Sequence, residues 1–310
     1  MVEGNANRWG VLLLAHGAPE RLEDVPEFLL HVRGGRPLPE AAVQEIVRRY
    51  ALIGGGSPLL KWTRRQAEAV AARLEKPVAV GMRNWRPFIA EGVAELARAE
   101  VERVVAICLA PQNSRTSVGL YRQRLEEALA EAGADLAVQF VESWHDHPLL
   151  IRAFAEKLRD GLDKAEATAG VRIPVILTAH SVPQKTIAAG DPYDQQAKET
   201  AARVAAEAGV AEWRFAYQSQ GMTAEGWLGP PVEEEMERVA AGGHRHVFLA
   251  PIGFLCDHAE ILYDIDIALR ASARERGLTL WRSESLNDSP LLTEAVASLA
   301  LEQIRLPIRV

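Results

Sequence analysis

Short apolar, β-branched runs alternate along the chain with longer, alanine-rich amphipathic segments. The runs are Gly10–Ala15, Val78–Met82, Val101–Leu109, Leu136–Val141, Val175–Ala179, Trp213–Tyr217, His246–Ala250 and Leu278–Trp281. Between them, Thr63–Leu74, Gly119–Glu131, Leu149–Leu162 and Lys198–Ala208 read as helices. This alternation predicts α/β architecture built from βαβ units with a largely parallel sheet. Runs that are apolar on both faces fit strands covered by helices on each side. Ser57-Pro58, His147-Pro148, Asp191-Pro192 and Ser289-Pro290 mark helix starts. A polar side chain caps the first turn there, and the N–H that proline lacks is not needed at that position.

The pattern occurs twice. LLLAHGAP (Leu12–Pro19) resembles ILTAHSVP (Ile176–Pro183), and RVVAICLAP (Arg103–Pro111) resembles RHVFLAP (Arg245–Pro251), in the same order. Two similar lobes are the economical reading, 1–145 and 146–310, joined through Glu142–Pro148. The final helix, from about residue 290, is open to either lobe, including packing on the first. Ligands of open parallel sheets bind beyond the carboxyl ends of the strands. His16, the loop after Pro111, His180 and the loop after Pro251 all follow strands. They are expected to line one cleft between the lobes.

Composition narrows the function. The chain has 310 residues, 48% hydrophobic and 25% charged, with a net charge of -7. That charge argues against nucleic acid, which needs a basic stripe, and against docking on anionic lipid by charge alone. No apolar run approaches the roughly 18 residues of a membrane-spanning helix, and Met1–Arg8 has no signal-peptide character. A cytoplasmic protein without stable membrane insertion, and a monomer, is the expectation. Cys108 and Cys256 are the two cysteines. They rule out a four-cysteine zinc or iron–sulfur site, and two buried thiols are expected rather than a disulfide.

Few residues are placed to carry chemistry. His180 ends a buried strand, where a neutral imidazole can take a proton or a metal; a strand-end histidine bonded to backbone is the alternative. In PIGFLCDHAEILYDID (Pro251–Asp266), Gly253 allows a turn and a helix is expected to begin near Asp257. Asp257, Glu260 and Asp264 would then share one helical face, with Asp266 pointing elsewhere. Like charges on one face repel, so the pattern suits a hydrated cation in transit, unless it is simply a solvated face near a helix start. The ladder ends at Ala268.

Gly54-Gly55-Gly56-Ser57 lacks the Lys-Ser/Thr ending of a P-loop and follows a helical stretch. GxSxG and HExxH are absent from the sequence. Arg33, Arg36, Arg48 and Arg49 could fork onto carboxylates or be ordinary surface arginines. Trp144-His145-Asp146-His147 looks like a small metal cluster, but adjacent residues rarely converge on one ion, and a helix entry with incidental histidines is preferred.

Taken together, these segments resemble the ferrochelatase family over nearly the whole chain. The matching blocks are LLLAHGAPERLEDVPEFL, RRYALIGGGSPL, GMRNWRPFI, LAPQNSRTSVGLY, ESWHDHP, AHSVPQKTIAAGDPYDQQ, YQSQGMTAEGWLGPP, PIGFLCDHAEILYDIDI and LNDSP. The resemblance implies two Rossmann-like, chelatase-type lobes around a porphyrin cleft. It implies that His180 and Glu260 face the porphyrin and the entering Fe²⁺, with Asp264 continuing an acidic metal path. It implies that Arg33, Arg49, Ser57 and Tyr121 meet porphyrin propionates. No organic cofactor is expected; iron is a substrate.

HVRGGRPLP (His31–Pro39) looks like the soluble branch that uses coproporphyrin III, and four propionates would suit the arginines. Protoporphyrin IX is the alternative substrate. Two rival readings remain: a chelatase of another metal or tetrapyrrole, and a porphyrin- or haem-binding carrier without turnover. Two positions depart from the family pattern. His16 stands where the coproporphyrin branch often has tyrosine, so it is either a porphyrin-side iron ligand or a loop histidine. Asn84 stands where some members carry a second histidine.

Overall fold

The computed structural model describes residues 8–133, 136–221 and 226–307. The polar start before Arg8 and Met222–Glu225 of the YQSQGMTAEGWLGPP block lie outside the described residues.

Two compact units emerge. The first comprises Met1–Ala110, Thr116–Ser143 and Leu292–Val310; the second comprises Pro111–Arg115 and Trp144–Leu291. A division at residue 145 had put Pro111–Arg115 in the first lobe; its hydrogen bonds tie it to the second. The Asn113 N–H donates to Gln196 Oε1 at 2.6 Å, and the Arg115 N–H donates to Asp191 Oδ2 at 2.7 Å.

Each unit holds a four-stranded sheet whose strands all run parallel. The first contains β1 (Trp9–Ala15), β2 (Val78–Met82), β3 (Arg103–Cys108) and β4 (Ala137–Val141) in the order β2-β1-β3-β4. The second contains β5 (Val175–His180), β6 (Trp213–Gln218), β7 (His246–Pro251) and β8 (Thr279–Arg282) in the order β6-β5-β7-β8. Second, first, third, fourth is the order in both, so the sequence repeat is a repeat of topology. The strands best covered are the apolar ones: every residue of β1 is buried, whereas edge strand β4 is mostly half-buried.

The helices are α1 (Val25–Val32), α2 (Glu40–Leu52), α3 (Leu59–Leu74), α4 (Ile89–Arg98), α5 (Val118–Ala132), α6 (Pro148–Ala169), α7 (Gln184–Ala188), α8 (Tyr193–Ala208), α9 (Val232–Ala241), α10 (Arg270–Glu275) and α11 (Pro290–Arg305). A π-helical segment, Glu260–Leu269, runs directly into α10. In the first unit, Leu12 and Leu14 pack with Ile89, Val93, Leu96, Tyr121 and Leu125. Each fully buried leucine there contributes about 1.5–3 kcal/mol relative to an exposed one. In the second, Ile176, Val247 and Leu249 pack with Met236, Val239, Ile261 and Ile265. Among the described residues, no helix is long and apolar enough to cross a membrane.

Three of the four proline-marked helix starts are capped as their residue types dictate. Ser57 Oγ accepts from the Leu59 N–H at 3.3 Å, His147 Nδ1 from Leu149 at 3.3 Å and Asp191 Oδ1 from Tyr193 at 3.0 Å. The glycine run before Ser57 also has a structural cause. A Cβ on Gly56 would lie 2.0 Å from the Glu20 carbonyl oxygen, and the Ser57 N–H donates to the Pro19 carbonyl at 2.9 Å. Close backbone approach explains Gly56, and positive φ (102 and 97) explains Gly54 and Gly55, without a phosphate.

Cys108 and Cys256 are buried and not joined in a disulfide. Burial pushes the Cys108 thiol well above its ordinary range, and burial with the Asp257 charge pushes Cys256 up to about 12. Since only thiolates react readily, the native protein near pH ~8 is expected to leave both unlabelled by a disulfide reagent, and the unfolded chain to react at both. Rapid labelling of the native protein would contradict their placement.

Candidate active site

Parallel strands end together at one edge of each sheet, and strand order decides which loops become neighbours. In the second unit, β5 lies between β6 and β7. His180, the last residue of β5, is therefore flanked by the loop after β6, which carries Ser219, and the loop after β7, which leads to Glu260. Gly253 permits this approach: a Cβ there would sit 3.0 Å from Ala179 Cα.

His180 Nδ1 lies 2.5 Å from the Ser181 carbonyl oxygen, and Nε2 lies 3.4 Å from Glu260 Oε2. A carbonyl only accepts, so Nδ1 must carry the proton in that bond. In the neutral ring Nε2 is then a lone pair facing a carboxylate. Two acceptors this close repel unless a proton or a cation is shared between them. Both side chains remain accessible, 35% and 38% exposed, although the Glu260 oxygen that faces His180 is shielded from solvent. Phe254 stands edge-on to the imidazole, with ring centroids 6.2 Å apart.

The backbone behind His180 is held by a residue that sequence reasoning did not single out. Tyr193 donates its phenol proton to the His180 carbonyl at 2.9 Å. Burial first, then the charge of Glu260, pushes this phenol far above its usual range, which keeps it a donor. The signal was present in the sequence: Tyr193 opens α8 just past the Asp191-Pro192 start.

Asp264 lies one turn beyond Glu260 and accepts from Ser219 Oγ at 2.5 Å. Ser219 has a left-handed backbone (φ 59), costing about 1–2 kcal/mol in a residue with a Cβ. The expectation for Asp257 is corrected. The helix begins later, and as a π-helix, whose i→i+5 bonding keeps Glu260 and Asp264 adjacent. Asp257 precedes it and turns to Arg282, Ser285 and Asn287. Asp266 also binds Arg282, through both oxygens at 2.8 Å. The Arg282 guanidinium thus pairs with both Asp257 and Asp266.

The first unit repeats the histidine arrangement. His16 follows β1, its Nδ1 lies 2.9 Å from the Gly17 carbonyl, and its Nε2 meets Asn84 Nδ2 at 3.1 Å. Where His180 faces a carboxylate, His16 faces an amide that can donate to it. The remaining expected porphyrin contacts lie on three sequence-distant stretches of this unit. Arg33 caps α1 and exchanges side-chain-to-backbone bonds with Arg36, each 3.2 Å. Arg49, near the end of α2, pairs with Glu45 at 3.0 Å; Arg48 and Arg49 together hold the Glu45 carboxyl down at about 2. Arg49 is thus already matched to a carboxylate, the group type expected of its ligand. Ser57 and Tyr121 are buried, and the Arg83 guanidinium covers the Tyr121 ring at 4.9 Å.

Comparison with known proteins identifies the family. A family model described as Ferrochelatase matches residues 8–304. A ferrochelatase of Acidobacterium capsulatum is 47% identical over 308 residues, covering 94% of each chain. A Geobacillus kaustophilus protein named coproporphyrin III ferrochelatase is 35% identical over 302 residues, covering 95% of each. The solved structure of SirB from Bacillus subtilis with Fe3+ matches with a TM-score of 0.58 at 11% identity, covering 96% of this chain and 95% of that one, a likeness of fold. The chain belongs to the ferrochelatase family.

Proposed function

We propose that this ferrochelatase-family enzyme inserts Fe²⁺ into coproporphyrin III, with His180 and Glu260 at the reacting centre. The observation that carries the reading is the His180 Nε2–Glu260 Oε2 pair at 3.4 Å, an imidazole nitrogen and a carboxylate oxygen that can each take up a proton or bind a cation. The reaction exchanges one for the other: a free-base porphyrin gives up two pyrrole protons as Fe²⁺ gives up its waters and takes four nitrogens. Nε2 accepts one pyrrole proton and the second leaves by way of the Glu260 carboxylate and Asp264 to solvent; Glu260 also draws in the ion and stabilises the imidazolium that forms. Asp264 extends the acidic surface along the π-helix as a further station for the hydrated ion. No organic cofactor takes part. In the first unit, His16, Arg33, Arg49, Ser57 and Tyr121 are the proposed porphyrin contacts.

The choice of coproporphyrin rests on the arginines around His31–Pro39 and on the names of relatives such as that of Geobacillus kaustophilus. Coproporphyrin has four propionates and protoporphyrin two. Arg33→Ala and Arg49→Ala are expected to lower kcat/KM for coproporphyrin III about 5–30-fold each, the loss of one or two charge-assisted hydrogen bonds. Protoporphyrin turnover should fall less. Unchanged coproporphyrin turnover in both variants would sink the assignment of these arginines.

A further inference from the structure

The segment Trp144–His147 gains from the fold what it lacks in sequence. His145, Asp146 and Glu199, the last from α8, bring one donor atom each to within 4.8 Å of one another. His145 Nε2 lies 3.2 Å from Glu199 Oε2. Two ligands bound ~2.1 Å from a single divalent ion stand about 3.0–3.4 Å apart at octahedral to tetrahedral angles, so this pair already has the spacing of neighbouring ligands.

The arrangement is built from behind. Trp144 is buried, and its N–H donates to the Pro111 carbonyl at 3.0 Å. Thr200, wholly buried and next to Glu199, turns its hydroxyl to the His145 carbonyl at 2.9 Å and accepts from Gln112 at 3.2 Å. These bonds fix the His145 backbone against α8. Arg203 takes Glu199 Oε1 through Nε at 3.0 Å and Nη2 at 2.7 Å. That leaves Oε2 directed at His145, while Asp146 is exposed and leaves room for water ligands.

We propose that His145, Asp146 and Glu199 form a second divalent transition-metal site, distinct from the His180–Glu260 pair. An imidazole nitrogen with two carboxylates suits ions of the Fe²⁺, Co²⁺ and Zn²⁺ class better than Mg²⁺, which prefers all-oxygen octahedra. Arg203 orients Glu199 and, by its charge, weakens the site. The site is therefore one that loads and releases its ion rather than a closed structural centre. It stands on these donors alone and does not depend on which porphyrin the enzyme uses.

The test is an anaerobic Co²⁺ titration of the full chain carrying His180→Ala and Glu260→Gln, followed by visible absorption. One equivalent with a ligand-field band is expected. Adding Glu199→Gln or His145→Ala should weaken it about tenfold or more. Adding Arg203→Gln should tighten it several-fold, a gain that misfolding cannot imitate. No band in the parent variant, or a band indifferent to both Glu199→Gln and His145→Ala, would overturn the proposal.

Discussion

Replacing His180 with alanine is expected to lower iron insertion by about 10²–10⁴-fold, the range for loss of a positioned proton acceptor. The side chain is half-exposed at the end of β5, so the sheet should survive. Its backbone partners remain: Tyr193 bonds the His180 carbonyl, and the Ser181 N–H donates to the Gln218 carbonyl. Porphyrin affinity should change far less than kcat, because the lost interaction belongs to proton and metal transfer. Steady-state metallation alongside fluorescence-monitored porphyrin binding separates the two. Retention of more than a tenth of wild-type turnover would mean that Nε2 is not the acceptor.

The second large effect is expected at Glu260. Glu260→Gln keeps the shape, removes the charge and introduces an amide that can donate to His180 Nε2. A loss of about 10²-fold or more in kcat is expected, close to that of His180→Ala. If the two groups act as a unit, the double variant should be little worse than the poorer single one, as for other groups that share one step. Additive losses would instead mean separate roles. Glu260→Asp, which keeps the charge but shortens its reach, should restore part of the activity.

The strands were legible because burial leaves a local trace. Runs such as Leu12–Ala15 and Ile176–Ala179 are apolar on both faces, and each became a central strand of its sheet. His180 and Glu260 were legible individually, from their chain position and from the family resemblance. Their contact depends on β7 lying beside β5, which no local pattern encodes. Asp257 was misjudged for a related reason. Three- and four-residue spacing assumes an α-helix starting at the first acid, whereas the helix starts at Glu260 with wider turns and Arg282 captures Asp257 from β8.

Tyr193 and Ser219 left weaker traces still. A tyrosine at a helix start and a serine in a loop look ordinary until their partners, the His180 carbonyl and Asp264, are known. Glu199 is the clearest case of information held only in space: a helix acid whose sequence neighbours give no hint of His145. Arg49 shows the converse, since residue type made it a carboxylate ligand and the fold already supplies one carboxylate in Glu45.

The most direct test of the central claim is an anaerobic progress curve with wild-type enzyme, excess Fe²⁺ and many equivalents of coproporphyrin III, read by loss of free-base fluorescence and run in parallel with protoporphyrin IX. Multiple turnovers of coproporphyrin, faster than of protoporphyrin, are predicted. Quenching that stops at one equivalent per chain with either porphyrin would contradict catalysis and make the protein a carrier.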